Sequence, residues 1–123
     1  MKIASFRDLE IWKRSIKLVE NIYKITKTFP QEELYGLTSQ LRRSAVSIPS
    51  NIAEGFGRFH KNEYKQFLHI AIGSCAEAST QIIIASKLGY LENAQAEILV
   101  NELEEISKMT MGIIKKLKTL PDN

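Results

Sequence analysis

The chain has 123 residues, 44% hydrophobic and 25% charged, which suits one soluble domain able to bury a modest core without covalent staples. A single cysteine, Cys75, excludes an internal disulfide framework and cannot by itself hold a zinc ion, so the reducing cytoplasm is the expected compartment. The net charge of +3 is unevenly spread: residues 1–29 carry 7 basic and 3 acidic groups, so the positive excess belongs to the first helix.

The N-terminus, MKIASFRDLEIWKR, lacks the uninterrupted apolar run of a secretion signal. No stretch approaches the roughly 18 apolar residues of a membrane span, and no membrane partner is expected.

Ser5 followed by Asp8 reads as a capping pair, and no proline or glycine interrupts until Pro30, so the first helix is expected over about 6–29. On a helical wheel, Leu9, Trp12, Ile16, Val19 and Tyr23 form one apolar stripe and Ile11, Leu18, Ile22, Ile25 and Phe29 a second. Together they cover roughly 200°, twice the arc of about 100° that a surface helix of a monomeric bundle needs. Either this helix is central in its own domain or one stripe meets another subunit, and the second reading is favoured. Lys13, Arg14, Lys17, Lys24 and Lys27 lie on the remaining arc and make the candidate nucleic-acid face, against the alternative of a merely solubilising surface. No exposed aromatics interleave with them, so binding there would be phosphate-driven and tolerant of sequence.

Pro30 and the acidic residues after it mark a loop and a helix start, giving a second helix over about 32–58. Its core stripe is Leu34, Leu37, Leu41, Ala45, Ile48, Ile52 and Phe59. Another face carries a polar ridge of Gln40, Arg43, Ser47, Asn51, Glu54 and Arg58, with Ser44 beside it. The ridge is read either as a hydrogen-bond network that fixes helix register or as a partner-binding groove. Pro49 removes one backbone hydrogen bond, so the helix is expected to be kinked there; the alternative is that Ser47 caps a new helix with Pro49 in its first turn. Gly55 suits close approach by another helix, and Gly57 suits termination.

The third helix, about 61–88, carries Tyr64, Leu68, Ala71, Cys75, Ala78, Ile82, Ala85 and Gly89 in alternating steps of four and three, a heptad seam with a small-residue middle. Ile72, Ala76, Ile83 and Tyr90 make a second apolar line. Glu77 is placed to face Arg42 or Arg43 as an ion pair. Asn93 is a plausible cap for the fourth helix, about 93–119, whose core is Leu99, Leu103, Ile106, Thr110, Ile113, Leu117 and Leu120. The fold class is therefore all-α, an up-down-up-down four-helix bundle in one domain, with helix two kinked at Pro49.

Catalytic and cofactor signals are missing. His60 and His69 do not form the Glu-x-x-His motif of di-iron bundles, Gly55-Phe56-Gly57 lacks the Lys-Ser/Thr of a phosphate loop, and Cys75 falls in the core seam. We read no catalytic, cofactor or metal site.

FRDLEIWKRS, FPQEELYGLTSQLRRSAVSIPSNIAEGFGR and IAIGSCAEASTQIIIASKLGYL resemble the bacterial four-helix-bundle proteins first noticed in intervening sequences of 23S ribosomal RNA genes. The resemblance extends over nearly the whole chain and is most specific from Leu37 to Arg58. It implies a homo-oligomer, typically a ring-shaped pentamer. A similar accessory protein of diversity-generating retroelements works with a reverse transcriptase and its RNA, so RNA, DNA or a nucleic-acid-handling protein is the implied partner. The chain is then a non-enzymatic helical scaffold, with an adaptor that presents the polar ridge to another protein as the alternative.

Overall fold

The structure, a computed structural model, describes residues 3–121. Four α-helices make up the fold: α1 (Glu10–Thr26), α2 (Leu37–Phe56), α3 (Lys61–Lys87) and α4 (Asn93–Lys118). Single 3-10 turns at Phe6–Asp8 and Gln31–Glu33 precede α1 and α2. Each helix packs on its neighbours in sequence, most extensively α2 on α3, and α4 closes on α1 through the thinnest of the four junctions. The backbones of the diagonal pairs do not approach one another, which is the arrangement that short links between antiparallel neighbours produce.

The first two helices start later than their apolar pattern suggests. Ser5 and Asp8 do form a reciprocal capping box, but it encloses only the 3-10 turn, because Leu9 is extended (φ −72°, ψ 129°) and α1 starts anew at Glu10. Helix one also stops at Thr26, short of Phe29, which is nonetheless buried and packs on Tyr90 with ring centroids 5.8 Å apart. Helix two starts at Leu37 because Gly36, at φ −115° and ψ −114°, is not helical. Gly36 has no side chain to cap with, and Glu33 substitutes: its Oε1 accepts from the Leu37 N–H at 3.0 Å. The other oxygen, Oε2, accepts from the Tyr90 hydroxyl at 3.0 Å, fastening this link to the end of α3.

α2 then continues unbroken through Pro49 to Phe56, so Ser47 lies mid-helix and caps nothing. Gly57 sits at the C-cap with φ −72°, and the left-handed position of the link falls on Phe59 (φ 56°). At the far end of α3 the reversal is made by Gly89 (φ 81°): its N–H donates to Ser86 O and that of Tyr90 to Ala85 O, a Schellman closure that needs the positive φ glycine supplies. Asn93 does not cap α4; Glu92 is in the cap position without a side-chain bond, and Asn93 Oδ1 instead accepts from the Ser86 hydroxyl.

The core is where the heptad reading placed it. Leu68, Ala71, Cys75, Ala78, Ile82 and Ala85 are all buried, facing Leu41, Ala45, Ile48 and Ile52 of α2 and Leu103 and Ile106 of α4. Gly55 makes the close approach possible: a Cβ there would lie 2.7 Å from Phe67 Cβ. Three apolar positions fall outside the core, since Leu34, Phe59 and Leu120 lie beyond the ends of their helices. In α4 the inward residue is Ile114, with Ile113 only partly covered at the core's edge.

α3 needs a further correction. From Gln66 to Ser86 its one charged residue is Glu77, and by length and composition alone it could cross a membrane, contrary to the expectation that no stretch comes close. Its seam forms the centre of the bundle, and a core helix passes the same compositional test.

Candidate functional site: the basic face and the polar ridge

α1 turns three different faces outward and inward. Ile11, Ser15, Leu18, Ile22 and Thr26 are buried against the bundle. Lys13, Lys17, Lys24 and Lys27 are exposed, within about 80° of one another on the helical wheel. None of these four lysines joins an ion pair among the described residues.

Arg14 does not belong with them. It lies about 100° round the helix from Lys13, on the α4 side, and its guanidinium takes Glu102 bidentately: Nε to Oε2 at 2.9 Å and Nη2 to Oε1 at 2.6 Å. Nη1 also approaches the sulfur of Met109 at 3.1 Å. The bond to Glu102 raises the Arg14 pKa, burial opposing it. Arg14 therefore closes the α1/α4 junction, and the basic face consists of the four lysines.

The remaining apolar stripe of α1 borders α2. Leu9, Trp12 and Val19 are partly covered by the core, whereas Tyr23 keeps 39% of its surface. Arg42 of α2 lies over the Tyr23 ring, 4.6 Å from its centroid, and donates through Nε to Thr26 Oγ1 at 2.9 Å. Thr26 in turn donates to the Ile22 carbonyl at 2.8 Å, so its hydroxyl is used in both directions.

The ridge of α2 divides into a buried network and an open groove. Ser44, buried, donates to Gln81 Oε1 of α3 at 2.7 Å. One turn on, the Ser47 and Ser74 hydroxyls share a hydrogen bond of 2.9 Å, and Asn51 Nδ2 donates both to Ser47 Oγ at 2.9 Å and to Ser47 O at 2.8 Å. Asn51 thus caps the Ser47 carbonyl and not that of Ala45, the one carbonyl that Pro49 deprives of its helical partner. At the end of the ridge Arg58 pairs with Glu54, one turn earlier, at 3.0 Å, and its guanidinium lies over Phe67 at 5.1 Å.

Gln40, Arg43, Ser44, Ser47 and Glu77 line an open groove of about 480 Å³. Arg43 and Glu77 both border it but do not pair, and Arg42 is committed to α1, so the ion pair expected for Glu77 is not made among the described residues. Ser74 and Gln81, which complete the network, were missed as partners. Their signal is legible: two polar residues seven apart on an otherwise apolar helix face, opposite two serines three apart on α2.

Cys75 is buried, and burial pushes its thiol up, against a smaller opposing effect of Ser107. A raised thiol in the core is a poor nucleophile. No group of three or more His, Cys, Asp or Glu is placed to hold a metal ion among the described residues.

The family model for 23S rRNA-intervening sequence protein matches residues 7–112. No curated protein matches the chain. Among solved structures, a protein of unknown function from the S23 ribosomal protein family of Bacteroides thetaiotaomicron is similar with a TM-score of 0.77 and 24% identity, over 85% of this chain and 98% of that one. At that identity the likeness concerns the fold.

Proposed function

The chain belongs to the 23S rRNA-intervening sequence protein family, and from that premise we propose that it is a non-enzymatic, homo-oligomeric helical scaffold that associates with RNA through the basic face of α1. The observation that carries this reading is the row Lys13, Lys17, Lys24 and Lys27, exposed and without ion-pair partners among the described residues. Four lysines on one copy make a weak patch; repeated around an oligomer they become a multivalent one, and linked weak contacts gain affinity steeply. Contacts of this kind are made to phosphates, so binding is indifferent to base sequence.

Fluorescence anisotropy with a labelled single-stranded RNA tests this. Binding at low salt that weakens with a log–log slope of about −0.7 per phosphate contact, and is abolished by Lys13→Glu, Lys17→Glu and Lys24→Glu together, is the expected result. Absence of binding at low salt refutes the RNA reading.

The second reading, an adaptor for another protein, is favoured by Arg43 and Glu77 in the α2/α3 groove, neither of which joins an ion pair among the described residues. Under it, Arg43→Ala and Glu77→Ala abolish capture of a protein partner and leave RNA affinity unchanged.

A further inference from the structure

Two apolar surfaces that one copy leaves partly uncovered lie on opposite sides of the bundle, and they differ in shape. On the α1/α2 side, Trp12, Ile16, Val19 and Tyr23 form a line along the convex surface of a single helix, none of them fully buried. Val46, one turn beyond Arg42 on α2, extends it and is 39% exposed. On the α3/α4 side lies a groove. Its central section, about 520 Å³, has Ile72, Ala76 and Ile83 on one wall and Val100 and Leu103 on the other. It runs on into a section of about 640 Å³ that shares Ile83 and Val100.

We propose that the α1 line of one copy seats in the α3/α4 groove of the next, a head-to-tail contact between copies of this chain. The inference rests on the homo-oligomer reading above and adds the surfaces and their polarity. Dimensions agree: Trp12 to Tyr23 spans about 16 Å and Ile72 to Lys87 about 22 Å at 1.5 Å per residue. So do the charges. Lys13, Lys17 and Lys24 flank the line, whereas Glu97 and Glu104 line the groove from α4, with no Lys or Arg between Asn93 and Ser107. Lys87 and Lys108 occupy only the groove's two ends.

Pairing line against line instead would set lysines against lysines and leave the groove bare. A heterologous contact covers both surfaces in every copy and closes into a ring when the rotation allows. The lysines border the line rather than fill it, so they orient the contact as rim charges and still face solvent.

Light scattering on two single variants, Ile16→Glu in the line and Ile83→Glu in the groove, tests the polarity. Wild type is expected well above the 14.0 kDa chain mass and each variant alone at 14.0 kDa. Mixed in equal amounts they are expected to form a 1:1 complex, because one variant keeps an intact groove and the other an intact line. Tyr23→Glu and Ala76→Glu, both at exposed positions, replace any variant that loses its helical circular dichroism. Variants that keep the wild-type mass, or that fall to monomers and do not pair on mixing, overturn the head-to-tail assignment while leaving the oligomer reading in place. A monomeric wild type removes both.

Discussion

Arg14 and Glu102 meet through two parallel hydrogen bonds, Nε to Oε2 at 2.9 Å and Nη2 to Oε1 at 2.6 Å, across the thinnest of the four helix junctions. Fork-to-fork pairing fixes orientation as well as proximity, so this contact sets how α4 lies along α1.

The first prediction concerns that contact. Both side chains are about one-third exposed, so solvent screens the pair and its worth is near the upper end of surface ion pairs, about 1 kcal/mol. Glu102→Gln keeps the shape and one acceptor, and is expected to lower urea-unfolding stability by roughly 0.5–1 kcal/mol. Arg14→Lys is expected to cost about as much, since an ammonium cannot reproduce the fork. Charge reversal of Arg14 should weaken RNA binding far less than reversal of Lys17, a direct comparison by anisotropy.

The second prediction contrasts two glycines. At Gly55 a Cβ would lie 2.7 Å from Phe67 Cβ, 3.1 Å from Tyr64 Cδ1 and 3.3 Å from the Tyr64 carbonyl, none of them the free end of a flexible chain. Gly55→Ala therefore forces α2 and α3 apart and is expected to destabilise by about 1–3 kcal/mol in spite of better helix propensity. Gly73, in the middle of α3, and Gly112, in α4, meet nothing within 4 Å. There the alanine substitution should stabilise by about 0.5–1 kcal/mol. Thermal unfolding of the three variants should separate them in sign.

How much of this was legible in the sequence depends on the range of the interaction. The α3 seam from Leu68 to Ala85 was readable because each residue's burial follows from a period repeated over many turns. Helix starts were not, because Leu9 and Gly36 leave helical geometry for reasons local to two or three residues, and Glu33 caps α2 from outside it. Arg14 shares with the lysines the arc left by the apolar stripes, and only its place about 100° round from Lys13 sets it apart, on the side that α4 covers. The polar ridge is legible as residues sharing one face and not as a network: a helix wheel does not show that Ser44 finds Gln81, 37 residues away.

The third prediction is a pH dependence. Burial pushes the Tyr64 hydroxyl up to about 12, against an ordinary value near 10 in the unfolded chain. A folded-state pKa above the unfolded one means that the neutral phenol favours the fold. That contribution is whole below about pH 10 and is lost as pH rises toward 12. Wild type should therefore lose about 1–3 kcal/mol more than Tyr64→Phe between pH 9 and 11.5 in urea titrations. The difference between the two proteins cancels every ionisation they share. Tyr90, raised by its bond to the Glu33 carboxylate and then by burial, is common to both. Equal losses in the two proteins would show that the Tyr64 hydroxyl is hydrated.

The fourth prediction separates structure from recognition in the α2 ridge. Ser44 and Gln81 are 4% and 7% exposed, and the Ser44 hydroxyl donates to Gln81 Oε1 at 2.7 Å while also reaching the Leu41 carbonyl at 3.1 Å. Ser44→Ala leaves the Gln81 oxygen without its donor in a nearly dry place, and an unmet buried acceptor costs about 1–3 kcal/mol. Removing both polar groups is a different matter, since an apolar pair of similar shape loses the bond and the desolvation penalty together. The double variant Ser44→Ala, Gln81→Leu is therefore expected to recover at least half of the stability lost by Ser44→Ala alone. A double-mutant cycle by urea unfolding measures the coupling, expected at about 1 kcal/mol. Arg43→Ala, at the open groove beside this pair, should leave stability unchanged within about 0.5 kcal/mol. If the cycle shows no coupling while Arg43→Ala destabilises, the roles are reversed: the exposed groove would then hold the helices together and the buried pair would be incidental.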